Sequence, residues 1–223
     1  RGGRPHGNVT CTKVGIILFV GFGSGVVQFC HLCDQVCQIC LDLRSELLII
    51  LVMELGAGLT GIHTLIIYTH SGTLGEGVND VLAQVLGLQN VEKIGAYGGM
   101  MRCGQVEAQS VGAFLAHVKD KLHCPGLRYC DGGKPVQKVA VGGGSCSDGL
   151  FDVICAGCDT FVTADVKYNQ FWDARDLGLN LIDAGHFHTE NPVTVFLTEK
   201  IAAAFPEIEV KISETHWDCV KFY

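Results

Sequence analysis

Short apolar runs alternate with stretches of helical spacing over the second half of the chain. Apolar runs bounded by glycine and polar residues are typical of buried strands, whereas apolar residues three and four positions apart are typical of amphipathic helices. Strands are predicted at residues 127–130, 135–141, 160–163 and 177–184, and helices at residues 149–156, 171–177 and from Pro192 onward. This alternation predicts an α/β fold with a mainly parallel sheet covered by helices.

The first half has less regular patterning. Strands are predicted at residues 13–20 and 62–68, and helices at residues 47–55, at residues 111–122 and after Asn79, which is placed to cap a helix. A chain of 223 residues holds one large domain or two small ones. The region most like a linker is residues 124–135.

Residues 47–67 are the nearest approach to a membrane span. Glu54 and His63 lie in this run together with Gly56, Gly58 and Gly61. A charge inside a span is costly, so a buried helix, a turn and a buried strand of a soluble protein are the favoured interpretation.

Composition and charge narrow the function classes. Hydrophobic residues are 48% and charged residues 17%, which is typical of a globular protein, and the net charge of −7 argues against a nucleic-acid groove. The twelve cysteines are expected to be free thiols in a reducing compartment, because no clear signal peptide precedes them. We therefore expect a cytoplasmic protein.

The most informative stretch joins the strand at residues 177–184 to the helix that begins at Pro192. Gly185 permits a turn, and His186, His188 and Glu190 then lie where α/β proteins commonly place their chemistry. Imidazole and carboxylate groups on one short turn suit a divalent cation such as zinc, iron or manganese. An ordinary solvated polar turn is the alternative.

Two other patterns leave alternatives open. Residues 21–25 are glycine-rich after a predicted strand, but they do not complete a dinucleotide fingerprint, so a flexible turn is the favoured interpretation. Cys30, Cys33, Cys37 and Cys40 share one helical face. They either pack in a core or hold zinc or an iron–sulfur cluster.

Three segments should meet at one edge of the sheet. Gly144, Asp165 and His186 each follow a predicted parallel strand, so they are expected around one crevice. The backbone N–H groups of residues 142–144 could hold an anion, Lys167 could neutralise a phosphate, and Asp165 could orient a ligating histidine. The alternatives are a tight glycine turn and a surface salt bridge.

Several segments closely resemble the Nif-three-like family, whose members are also known as GTP cyclohydrolase type 2 homologues. They are VAVGGGSCSDG, FVTADVKYNQFWDARDLGLNLIDAGHFHTENPV and AAFPEIEVKISETHWDCVKF. The segments GEGVNDVLAQVLGLQNVEKIG and HCPGLRY resemble the family's middle segment. The resemblance implies two α/β lobes, which we place at residues 1–125 and 126–223, with a dinuclear metal centre in the cleft between them. It also implies a ring-shaped homohexamer.

The resemblance implies roles for particular residues. In such proteins, the histidine and glutamate at the positions of His186 and Glu190 bind the metals, and Glu190 is also the expected catalytic residue. The family's paired histidines after an early strand and its loop aspartate are missing here, which leaves His70 as the proposed further ligand, with His31 and His63 as other imidazoles. The remaining expected site residues are Gly143, Gly144 and Lys167 for substrate, and Asp165 and His188 as partners of the metal ligands.

Two functions fit these expectations. One is a hydrolase that uses one or two divalent ions (zinc, iron or manganese) to activate water against a nucleotide-like substrate. The other is a non-enzymatic metal-binding protein with a regulatory or interaction role, which the missing ligands favour.

Overall fold

Strands and helices alternate along most of the described residues. This computed structural model describes residues 15–18, 49–53, 64–68, 77–95, 99–204, 206, 209–215 and 217–223. In chain order the strands are β1 (Gly15–Leu18), β2 (Ile49–Met53), β3 (Thr64–Tyr68), β4 (Gln89–Ile94), β5 (Met101–Gln109), β6 (Arg128–Cys130), β7 (Val136–Val141), β8 (Thr160–Thr163), β9 (Asn180–Asp183) and β10 (Glu209–Ile212). The α-helices are α1 (Val78–Val85), α2 (Val111–Lys121), α3 (Leu150–Cys155), α4 (Tyr168–Asp176), α5 (His186–Glu190) and α6 (Pro192–Ala204), and Ser147–Gly149 forms a 3₁₀ turn before α3.

A six-stranded mixed sheet has the strand order β4-β5-β7-β8-β9-β6. The pairs β7–β8 and β8–β9 are parallel, whereas β4–β5, β5–β7 and β9–β6 are antiparallel. The predicted α/β class is confirmed. Within this sheet, parallel pairing is confined to β7, β8 and β9, and the antiparallel strands β4 and β5 extend one side of it.

Helices cover both faces of this sheet. Val139 and Val141 pack with Phe114 of α2 and Leu82 of α1 in one buried cluster, whereas Ala140 between them belongs to a second cluster with the helices α3 and α4. Successive residues of a strand point to opposite faces, so the all-apolar end of β7 is the signature of a strand buried on both sides. Burial on both faces makes this sheet a rigid platform for the loops at its edge.

The register of the parallel strands places their carboxyl ends side by side. Val141 pairs with Val162, and Thr163 pairs with Asp183. The loops that follow β7, β8 and β9 therefore leave the sheet at the same edge. The predicted convergence of Gly144, Asp165 and His186 at this edge is confirmed.

The six-stranded sheet extends across the lobe boundary expected between residues 125 and 126. The strands β4 and β5 lie before it, yet β5 pairs along β7, with Arg102 opposite Val141 and Gln109 opposite Val136. Pro125 and Gly126 lie in the connection between α2 and β6, and β6 belongs to the same sheet as β5 and β7. The unit that contains the sheet thus includes residues from α1 onward.

Two local secondary-structure predictions are wrong. Residues 49–53 form the strand β2, antiparallel to β3, instead of part of a helix over 47–55. The β-branched run there favours a strand. Asn79 does not cap α1. Gly77 occupies that position, and the buried Asn79 amide makes tertiary hydrogen bonds.

The first predicted strand is confirmed in its central part, because β1 pairs in parallel with β10. Within the described ranges, no helix has the length and apolarity needed to cross a membrane. Cys30, Cys33, Cys37 and Cys40 lie outside the described residues, so the alternatives for them stay open. Among the described residues, seven cysteines are free thiols, as expected.

Candidate metal site

His186 and Glu190 face each other on α5. The expected turn is a five-residue helix, which Gly185 makes possible by leaving β9 at a φ of +81°. Residues four apart on a helix are neighbours, and His186 Nε2 lies 3.4 Å from Glu190 Oε1. The helix therefore presents one nitrogen and one oxygen donor together at the edge of the sheet.

Asp165 determines which ring nitrogen of His186 is directed at Glu190. Asp165 adopts a left-handed φ of +52° two residues after the end of β8, and its Oδ2 lies 2.5 Å from His186 Nδ1. Aspartate tolerates this backbone region better than most residues. The carboxylate accepts a hydrogen bond from Nδ1–H, which leaves the Nε2 lone pair directed at Glu190.

The two donors fit a divalent ion. Ligands about 2.1 Å from a tetrahedral ion are roughly 3.4 Å from each other, which is the distance between Nε2 and Oε1. Within the described residues, no group of three or more His, Cys, Asp and Glu side chains is arranged to hold a metal. The pair thus supplies two ligands, and a complete site needs further ones, such as His70, which lies outside the described residues.

Burial disfavours the charged form of the Glu190 carboxylate. Burial raises its pKa above the usual range, the nearby His186 lowers it, and Asp165 raises it. A buried carboxylate is stabilised by a positive partner. The electrostatics of the pair therefore favour a bound cation.

The backbone N–H groups of the glycine loop after β7 form hydrogen bonds within the protein. Gly142 N donates to Val162 O at 3.0 Å, Gly143 N donates to Asn79 Oδ1 at 2.7 Å, and Gly144 N donates to Thr189 Oγ1 at 3.0 Å. All three N–H groups have protein acceptors. They cannot hold a substrate anion without breaking these bonds.

The loop instead lies against the donor pair. Gly144 has a φ of +62°, and a Cβ placed on it would overlap Glu190 Oε1 and lie 3.0 Å from His186 Nε2. Only glycine lets the backbone pass this close. The fully buried Thr189 links the loop to α5, because its hydroxyl accepts from Gly144 N and lies 3.0 Å from both Gly185 O and His186 O.

Asp183 fixes the two turns that bring Asp165 and His186 together. Its buried carboxylate accepts hydrogen bonds from Val166 N and Gly185 N, each at 3.1 Å, and forms an ion pair with Arg128. Arg128 also donates to Val166 O at 3.1 Å. No local sequence pattern identifies Thr189, Asp183, Arg128 or the tertiary role of Asn79, since most of their partners are distant in sequence.

Two expected site residues lie apart from the donor pair. Lys167 Nζ is 3.7 Å from Asp148 Oδ1 and both side chains are exposed, so Lys167 forms a surface salt bridge with Asp148. His188 directs Nδ1 to Leu122 O at 3.2 Å and Nε2 toward Asp218. Neither side chain is brought to His186 and Glu190 by these contacts.

Comparisons with known proteins agree with this architecture. The profile of the family Duf34/NIF3 (NGG1p interacting factor 3) matches residues 60–218. A Nostoc protein named "GTP cyclohydrolase 1 type 2 homolog" is 35% identical over 141 residues, which cover 60% of this chain and 54% of the relative. A Clostridium perfringens protein of the same name is 27% identical over 163 residues, covering 70% of this chain and 62% of the relative. The chain thus spans little more than half the length of these curated relatives.

Solved structures show the same fold. A Bacillus cereus protein related to NIF3 superimposes with a TM-score of 0.62 at 20% identity, covering 68% of this chain and 71% of that one.

Proposed function

Because the chain belongs to the Duf34/NIF3 family, we propose that it is a divalent-metal-dependent hydrolase that acts on a nucleotide-like substrate. The observation that carries the proposal is the His186 Nε2–Glu190 Oε1 separation of 3.4 Å, with Nδ1 engaged by Asp165. The name of these relatives, "GTP cyclohydrolase 1 type 2 homolog", supports the substrate class.

His186 and Glu190 are the two described residues that would hold the ion, and His70 is the proposed further ligand. A bound zinc, iron or manganese ion, alone or as one of a pair, lowers the pKa of coordinated water and polarises the substrate. Asp165 keeps the His186 ring in one orientation. Gly144 leaves space beside both ligands, because any side chain there would overlap them.

The substrate would approach from the exposed side of this edge. Lys167 is exposed at the start of α4, where its ammonium could exchange the weak Asp148 contact for a phosphate. The N–H groups of Gly143 and Gly144 hold the loop and not the substrate, so phosphate binding rests on side chains. We place this activity in the cytoplasm, in a ring-shaped homohexamer.

A second candidate is a metal-binding protein without turnover. Two observations on the described residues favour it: only two metal donors converge, and the glycine loop has no free N–H group for an anion. In this case, the ion would stabilise a surface for another protein.

Metal content and turnover separate the two candidates. The full chain would be purified, loaded with Zn²⁺ or Mn²⁺, assayed for bound metal by mass spectrometry, and incubated with a panel of nucleoside triphosphates. The hydrolase proposal expects bound metal, turnover, and loss of both in H186A and E190A, with H123N as a control at an exposed histidine. Bound metal without turnover would support the second candidate, and no metal would overturn both.

A further inference from the structure

His188 lies two residues after His186 on α5, yet it faces a different part of the molecule. Its Nδ1 lies 3.2 Å from Leu122 O at the end of α2. A carbonyl oxygen can only accept a hydrogen bond, so the proton is on Nδ1. Metal-binding histidines commonly use their second nitrogen in this way, which fixes the ring and its tautomer.

The other ring nitrogen of His188 is buried and has no hydrogen-bond partner among the residues that the structure describes. It lies 3.4 Å from Asp218 Oδ2, and the two side chains are only 13% and 18% exposed. Buried polar atoms are nearly always partnered, because leaving one without a partner costs free energy. A nitrogen lone pair directed at a carboxylate oxygen is the arrangement that a cation between them would stabilise.

This arrangement repeats the geometry of the first pair. His186 and His188 each bind an oxygen through Nδ1 and each present Nε2 to a carboxylate at 3.4 Å. We propose that His188 and Asp218 form a second divalent-cation site, separate from His186 and Glu190, which takes an ion of the zinc class. Imidazole with carboxylate suits such ions, and water would complete the coordination.

The Cys124 thiol near Asp218 is not needed as a ligand. Burial raises its pKa to about 12, Lys119 lowers it, and Asp218 raises it. Its Sγ lies 3.3 Å from Ala184 O, to which the thiol donates. Cys124 therefore remains a protonated core residue, and the site consists of one nitrogen and one oxygen from the protein.

An ion at this position would join α5 to the C-terminal segment, residues 217–223. That segment already contacts the turn after α2, because a Cβ placed on Gly126 would lie 2.8 Å from the Phe222 ring. With both contacts made, the segment is held at two points. Zinc binding at His188 and Asp218 would therefore restrict the motion of the chain terminus.

Counting bound zinc in matched variants of the full chain tests the proposal. Wild type, H188A, D218N and the control H123N would be equilibrated with chelator-buffered zinc, and zinc per chain would be measured by mass spectrometry. H188A and D218N are each expected to lose one zinc per chain relative to wild type and H123N. D218N changes no residue of α5, so a loss of zinc in this variant does not depend on the fold of that helix.

The same experiment separates this site from the first. E190A is expected to lose the zinc of the first pair and keep the second, and the double variant E190A/H188A to bind neither. A lower zinc count in H188A but not in E190A would uphold this proposal and contradict the proposed function. Equal zinc counts in wild type, H188A and D218N would overturn it, with water alone between the two side chains.

Discussion

Asp165 Oδ2 lies 2.5 Å from His186 Nδ1, and this contact directs His186 Nε2 at Glu190. The first prediction follows from it. D165N replaces the acceptor with an amide that can present its NH₂ group to Nδ1, so the ring loses its preferred tautomer and orientation. We expect the zinc affinity of the His186–Glu190 site to fall about 10- to 100-fold, as for other lost partners of metal-binding histidines.

Competition with a zinc-sensitive dye measures this change. D148N is the matched control, because Asp148 is an exposed aspartate whose ion pair is with Lys167. If D165N and D148N bind zinc with the same affinity as wild type, Asp165 does not orient the ligand.

The second prediction concerns Gly144. Alanine at this position combines a left-handed φ of +62° with overlap of Glu190 Oε1. Left-handed backbone at a non-glycine residue costs about 1–3 kcal/mol, and the overlap displaces the ligand. We therefore expect G144A to lower the free energy of unfolding by this amount and to weaken zinc binding.

Urea unfolding and zinc titration check this result together. G112A is the control, because a Cβ on Gly112 of α2 meets no atom within 4 Å. Alanine in a helix is favoured over glycine by roughly 0.5–1 kcal/mol, so G112A should be stabilising and bind zinc normally. A G144A protein that behaves like G112A would contradict the described geometry.

The third prediction concerns the link between the glycine loop and α5. T189V keeps the volume of the buried side chain but removes the acceptor for Gly144 N. A buried N–H group without an acceptor costs about 1–3 kcal/mol, and we expect a loss of stability of that size. Urea unfolding measures it.

T198V is the comparison for this substitution. The Thr198 hydroxyl donates to Thr194 O within α6 at 2.7 Å, so its removal leaves no buried donor unpaired and should cost only about 0.5 kcal/mol. Equal losses in the two variants would show that the Thr189 link has no special role.

The fourth prediction is a pH dependence of the metal-free protein. Burial raises the pKa of Glu190 in the folded state, with His186 opposing and Asp165 reinforcing the shift. A carboxyl group whose folded pKa is raised stabilises the fold fully below its unfolded pKa, and this contribution is lost as the pH rises through the folded pKa. In EDTA at pH 7, E190Q should therefore be more stable than wild type, by about 1 kcal/mol.

The advantage of E190Q should shrink as the pH falls toward the ordinary glutamate pKa of roughly 4.3. Urea unfolding from pH 8 to pH 4 measures the difference, and E199Q, at an exposed glutamate of α6, should show no such trend. A stability difference between E190Q and wild type that does not change with pH would contradict the burial of this charge.

The parallel part of the fold was predictable from local pattern. The buried runs that become β7, β8 and β9 end at Gly142, Ala164 and Ala184, and each is followed by glycine or a polar turn. The apolar runs predicted the strands, and the glycine or polar residues after them predicted the edge at which Gly144, Asp165 and His186 meet. The carboxyl ends of parallel neighbours coincide whatever the details of packing.

The contacts that hold the site were not predictable in this way. Thr189 and Gly144 are 45 residues apart, and Asn79 and Gly143 are 64 residues apart. Asn79 has the chemistry of a helix cap, but its buried amide bonds Met100 O and Gly143 N instead. Local pattern cannot distinguish these uses, because both satisfy the same polar atoms.

The hairpin of β4 and β5 was missed for a related reason. Gly104 interrupts the alternation that identifies strands, and glycine is required there because a Cβ would lie 2.8 Å from Gln89 O. The hairpin extends the sheet beyond β7, to residues before the lobe boundary that we placed at residues 125 and 126.

Anomalous diffraction at the zinc edge, from crystals of the full chain soaked in zinc, is the most direct measurement of the central claim. We expect a peak about 2.0–2.2 Å from both His186 Nε2 and a Glu190 carboxylate oxygen. Crystals that show zinc elsewhere but no peak between these two side chains would contradict it.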